Sequence, residues 1–86
     1  MASYRILLTK SAAKELDAVP TKDRQRIVTK IGSLAHNPRP VGVEKLSGDE
    51  KYRIRQGDYR ILYEILDAEL IVTVVRVGNR REVYRR

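Results

Sequence analysis

Cysteine is absent from this 86-residue chain. That excludes disulfide staples, a thiolate zinc site and a cysteine nucleophile. Stability must come from an apolar core or from a partner, and the lack of thiols fits a reducing compartment. Histidine occurs once, as His36. It falls at the end of an expected helix, where it suits the last carbonyls better than a ligand. No glycine-rich phosphate loop and no cluster with metal-ligand spacing is present. None of Ser11, Ser33 and Ser47 has a neighbouring base that would mark a nucleophile. No cofactor and no metal are therefore expected. The apolar run Ile6-Leu7-Leu8 is too short for a signal-peptide core or a membrane span and reads as a buried strand. The expectation is a cytoplasmic protein that engages no membrane. No repeat, low-complexity tract or linker divides residues 1–86, so one domain is expected.

Charge is what the chain has in excess. Lysine and arginine number 18 against 11 acidic residues, a net charge of +7, and 12 of the cations are arginine. Such a balance favours polyanions, whether nucleic acid, an anionic membrane surface or an acidic protein. A guanidinium grips phosphate in a bidentate fork and stacks on bases, so the arginine excess tilts the reading towards nucleic acid. A solvated basic surface is the plain alternative.

Patterning gives an α+β order. Residues 4–8 read as a strand. Residues 11–19 read as a helix with Ser11 as N-cap and Ala12, Ala13, Leu16 and Val19 at helical spacing. After Pro20, a second helix capped by Thr21 carries Ile27, Val28, Ile31, Leu34 and Ala35 on one face. Asn37-Pro38-Arg39-Pro40 ends it, because a residue before proline avoids helical backbone angles. Three strands follow at 51–56, 59–66 and 70–77, with a tight turn at Gly57-Asp58 and another at Asp67-Ala68-Glu69. The natural arrangement is two N-terminal helices on one face of a small, mainly antiparallel sheet, in the order β-α-α-β-β-β. Val83 and Tyr84 suit a short C-terminal strand after a turn at Gly78-Asn79.

The two-residue turn fixes a register. Arg55 then faces Arg60, Ile54 faces Ile61 and Tyr52 faces Tyr63. Side chains alternate across a strand, so Tyr52, Ile54, Ile61 and Tyr63 share the core face, while Arg53, Arg55 and Arg60 share the other. Like charges directly opposite destabilise a sheet. Both side chains are expected to be exposed, and a polyanion lying across that face would account for the pairing. Otherwise the two side chains splay into water or pair with Asp58 and Glu64. The segment from Val77 to Arg86 adds four arginines and Tyr84. If it returns beside the hairpin, Tyr84 could stack on a base and the arginines hold flanking phosphates.

Three segments together resemble the RelE/ParE toxin superfamily: Lys45-Leu46-Ser47-Gly48, the stretch from Tyr52 to Tyr63, and Val77-Gly78-Asn79-Arg80-Arg81-Glu82-Val83-Tyr84. The likeness covers nearly the whole chain and implies the RelE-like fold. For the RelE branch it implies a toxin that cuts messenger RNA in the ribosomal A site without a metal, the substrate's 2′-hydroxyl attacking the adjacent phosphate to leave a 2′,3′-cyclic phosphate. It also implies a cognate antitoxin that wraps and blocks the toxin. By motif the catalytic set falls on Arg53, Arg55, Arg60, Arg80 and Tyr84, with Lys45, Lys51, Arg81 and Arg85 expected to hold RNA around it.

Two departures from the family pattern bear on mechanism. Arginines stand at positions 53 and 55 where well-studied RelE-type enzymes carry lysine, and arginine keeps its proton at ordinary pH. They can neutralise the phosphorane, but the general base must be Tyr84, Lys51 or another group. Asn79 stands where many relatives have histidine, leaving Arg80 as a candidate acid. Two other functions stay open: a ParE-type inhibitor of DNA gyrase, and a catalytically weak module that binds only RNA or its antitoxin.

Overall fold

The computed structural model describes residues 3–46 and 50–79. Strand β1 (Arg5–Leu8) runs into helix α1 (Lys10–Asp17), and helix α2 (Thr21–Ser33) follows. A loop leads to the two-residue strand β2 (Glu44–Lys45). Then come β3 (Lys51–Gln56), β4 (Tyr59–Leu66), a 3-10 turn at Asp67–Glu69 and β5 (Ile71–Asn79). The five strands form one sheet in the order β1-β5-β4-β3-β2. Among the described residues only the β1–β5 pairing is parallel. The α+β arrangement expected from the sequence is therefore present, with β2 as an element the patterning missed. Among the described residues no helix is long and apolar enough to cross a membrane.

Alternation places the core. Tyr52, Ile54, Ile61, Tyr63, Ile65, Val72, Val74 and Val77 point to one face and are buried with Ala12, Val19, Ile27, Ile31 and Leu34 from the helical layer. The step from Val74 to Val77 breaks the period of two. Tyr63 pairs with Val74 but Leu62 pairs with Arg76, so Val75 is a bulge residue. Strict alternation would have driven Arg76 into the core; the extra residue takes it out and returns Val77 to it.

Among the described residues no strand flanks the bulged stretch on its outer side, because β1 ends at Leu8. The start of α1 closes that edge. Thr9 Oγ1 donates to Val75 O at 3.3 Å, and Glu15 accepts from Val77 N at 2.9 Å and from Arg76 Nε at 3.0 Å. Thr9 is also the N-cap of α1, accepting from Ala12 N at 3.1 Å, where Ser11 was expected. The cap lies two residues earlier because β1 ends directly in the helix. In α2 the N-cap is Pro20 rather than Thr21: its backbone is extended, and its carbonyl accepts the first helical bond from Arg24 N. Val28, expected on the apolar face, is 50% exposed, since the face actually used runs through Ile27, Ile31 and Leu34.

Far from the β3–β4 turn, one guanidinium ties four parts of the fold together. Arg39 binds both oxygens of Asp67 at 2.7 and 3.1 Å, donates to the Tyr52 hydroxyl at 3.0 Å, lies 5.2 Å from the Tyr52 ring centre and sits 3.5 Å from Glu50. Tyr4 donates to Asp67 at 2.6 Å and Tyr52 to Glu50 at 2.8 Å. The Arg39 contact, followed by that of Tyr4, holds the Asp67 carboxyl down at about 2. The Tyr52 hydroxyl does the same for Glu50 in direction. Beneath this cluster the Tyr63 hydroxyl donates to Pro38 O at 2.6 Å.

Candidate functional site

The β3–β4 hairpin builds the site. Gly57 adopts a φ of +60°, the left-handed region that a two-residue hairpin turn requires. The register follows: Gln56 opposite Tyr59, Arg55 opposite Arg60, Ile54 opposite Ile61 and Tyr52 opposite Tyr63. Arg53, Arg55 and Arg60 therefore share the face away from the core, as expected.

Their environments differ in a way that the pattern did not reveal. Arg55 is exposed and forms no ion pair among the described residues. Arg53 is half-buried, and Arg60 is only 3% exposed, which corrects the expectation that both members of the cross-strand pair stand in water. Arg60 lines a cleft of about 390 Å³ with Lys30, Val41, Gly42, Glu44, Ile54 and Arg55. The loop that leads into β2 forms part of that wall and removes Arg60 from solvent.

The counter-charge comes from β2. Glu44 pairs with Arg53 in register, and residues opposite one another share a face. Its Oε1 accepts from Arg53 Nε at 3.1 Å and Nη2 at 2.9 Å, and lies 3.9 Å from Arg60 Nη1. One carboxylate thus serves two arginines, and it is neither of the acids expected for that role. Glu64 instead lies 3.9 Å from Lys51. Glu44 escaped the sequence reading because its strand is two residues long and shows no alternation; the one available signal was an acid just before Lys45-Leu46.

The other expected RNA-binding residues separate. Lys51 alternates with Arg53 and Arg55 and stands on their face. Lys45 lies opposite Tyr52, a core-face residue, so it sits at the other rim and pairs with Glu50 at 3.6 Å. Arg80, Arg81, Tyr84 and Arg85 lie outside the described residues. What precedes them is placed: Gly78 is opposite Arg60 and Asn79 opposite Tyr59, so β5 carries the chain to the arginine pair.

Chemically, the face offers fixed positive charge without a titratable base among its arginines. Tyr63, on the core face, cannot serve either. Burial pushes its hydroxyl up to about 12, and the group already donates to Pro38 O. Besides the arginines, the face carries Lys51 and, opposite it in register, Glu64.

Comparison with known proteins gives consistent matches. The family model described as the ParE toxin of type II toxin–antitoxin systems matches residues 6–84. Toxin RelG of Mycobacterium tuberculosis is 32% identical over 87 residues, covering 96% of this chain and 98% of its own length. The mRNA interferase toxin RelE of Escherichia coli is 29% identical over 87 residues, covering 95% of this chain and 90% of its own. Among solved structures, the archaeal RelE–RelB complex from Pyrococcus horikoshii aligns with a TM-score of 0.82 at 27% identity, over 91% of this chain and 96% of that one.

Proposed function

This chain belongs to the ParE toxin family of type II toxin–antitoxin systems, and from that premise we propose that it is a single-domain, ribosome-dependent messenger-RNA endoribonuclease restrained by a cognate antitoxin. The observation that carries the reading is the arginine face: Arg55 opposite Arg60, with Arg53 beside them and the Glu44 carboxylate reaching both Arg53 and Arg60. The name of the E. coli relative supports RNA cleavage, and the RelE–RelB complex supports restraint by an antitoxin.

In this mechanism the 2′-hydroxyl of the cut nucleotide attacks the adjacent phosphorus. The bond to the 5′-oxygen of the next nucleotide breaks, leaving a 2′,3′-cyclic phosphate and a 5′-hydroxyl. Arg53, Arg55 and Arg60 stabilise the charge that accumulates on the non-bridging oxygens. Tyr84 or Lys51 accepts the 2′-hydroxyl proton, because arginine does not release its own. Arg80 neutralises the charge developing on the leaving oxygen, which takes its proton from solvent. Arg81 and Arg85 hold flanking phosphates, and the Tyr84 ring stacks on a base.

Sequencing transcripts after brief expression tests this. Cuts bounded by codon position, with 5′-hydroxyl and cyclic-phosphate ends, are the expected result. Broken chromosomes with intact transcripts would establish the gyrase-directed activity implied by the ParE branch. Intact nucleic acids with normal growth would leave a binding module.

A further inference from the structure

We infer that Glu44 occupies the phosphate position of the arginine site, holding Arg53 and Arg60 in place until an RNA phosphodiester displaces it. The inference rests on the RNA-cleaving reading above and deepens it by naming where the substrate anion binds.

Three observations converge. First, the contact is the fork that a guanidinium offers an oxyanion: one carboxylate oxygen accepts from Nε and Nη2 of Arg53 at 3.1 and 2.9 Å. A phosphate oxygen takes the same edge. Second, that oxygen also lies 3.9 Å from Arg60 Nη1, so it marks a point reached by two of the three arginines. Third, the exposures are unequal. The Glu44 side chain is 60% exposed, against 20% for Arg53 and 4% for Arg60. The cations are fixed beneath, and the anion on the wet side is the member that can leave. The cleft lined by Glu44, Arg55 and Arg60 gives it room to do so.

Binding is then an exchange of anions. The incoming phosphate releases Glu44 from Arg53 instead of releasing a bulk counterion. Glu44 is accordingly a positioning residue: it keeps two like charges preformed, and it weakens RNA binding by the strength of its own contact.

The test uses the full chain and ribosomes programmed with an mRNA carrying a 2′-deoxy nucleotide at the cut position, so that binding is measured without cleavage. Glu44→Gln keeps the shape and removes the charge. It is expected to bind about two- to fivefold more tightly, the worth of an exposed ion pair. Its plot of log affinity against log salt should be steeper by roughly 0.7, one extra counterion released on a single strand. Glu69→Gln removes one charge at the remote 3-10 turn and should keep the wild-type slope. Weaker binding by a normally melting Glu44→Gln, or wild-type affinity and slope, would overturn the inference. If Glu44→Gln fails to fold, Glu44→Asp decides: one methylene shorter, it withdraws from the Arg53 fork and must shift binding in the same direction. Arg55→Ala separates the two levels of the argument. Wild-type binding by Arg55→Ala refutes the arginine-face reading itself; weakened binding alongside an inert Glu44→Gln refutes the role of Glu44 alone.

Discussion

Arg55 and Arg60 face each other across β3 and β4, yet the structure requires opposite outcomes when each is truncated. Arg60 is 3% exposed and its side chain packs in the wall of the cleft with Val41, Gly42 and Ile54. Deleting a buried side chain of that length costs about 2–4 kcal/mol in lost packing and residual void. Relief of the cross-strand repulsion returns a few tenths of a kcal/mol. The net loss of about 2–3 kcal/mol corresponds to a drop of roughly 10–20 °C in melting midpoint for a chain of this size. Arg55 is exposed, so Arg55→Ala should change stability by no more than about 0.5 kcal/mol. Arg60→Met keeps the apolar stem and should recover most of the midpoint lost by Arg60→Ala. The assay is a thermal melt of the purified variants beside growth arrest on induction. Expected are loss of toxicity in both alanine variants, a wild-type melt for Arg55→Ala and a lowered melt for Arg60→Ala. Equal melts for the two alanine variants would refute the assignment of Arg60 to a buried position, and a toxic Arg55→Ala would refute its place in the site.

Three further outcomes follow from other parts of the fold. Tyr63→Phe leaves the buried Pro38 carbonyl without its 2.6 Å donor and should cost about 1–3 kcal/mol, read as a lower denaturation midpoint. Asp67 has its carboxyl lowered from 3.8 to about 2, so its contribution is complete above about pH 4 and fades as pH falls through 2; melts from pH 5 to 2 should show a steeper loss in the wild type than in Asp67→Asn. At Tyr84, single-turnover cleavage on ribosomes separates the two proposed roles: Phe close to wild type with Ala impaired indicates stacking, whereas a fall of about 10²–10⁴ in Phe indicates proton transfer, and full activity in Tyr84→Ala excludes both.

The hairpin was legible because its information is local. Gly57-Asp58 forces a two-residue turn, the turn fixes the register, and the register sorts Tyr52, Ile54, Ile61 and Tyr63 from Arg53, Arg55 and Arg60 by alternation alone. Features that depend on distant segments did not show. The bulge at Val75 is unmarked by any glycine or proline, and its outer edge is closed by Thr9 and Glu15, more than 60 residues away in sequence. Arg39 gave no sign of its role, since it meets Asp67 28 residues on. The burial of Arg60 and the pairing of Glu44 share one cause: β2 and the loop before it fold against the arginine face, and two residues are too few to display a strand period.

The two ends of the sheet treat the same chemical group in opposite ways, and that contrast bears on catalysis. At one end Arg39 lies between two carboxylates, Asp67 and Glu50, so its charge is met within the fold. At the other, the Glu44 carboxylate reaches both Arg53 and Arg60, while Arg55 stands in water. A phosphodiester in its ground state carries one negative charge, and the phosphorane formed when the 2′-oxygen attacks carries two. In the proposed mechanism, fixed positive charge from Arg53, Arg55 and Arg60 would favour the second state over the first. Charge complementarity that grows along the reaction coordinate accelerates the chemical step, whereas uniform binding does not. Arginine is suited to that task because it contributes fixed charge that no nearby group can titrate. The proton must then be handled by a group other than these arginines, which in the proposed mechanism is Tyr84 or Lys51.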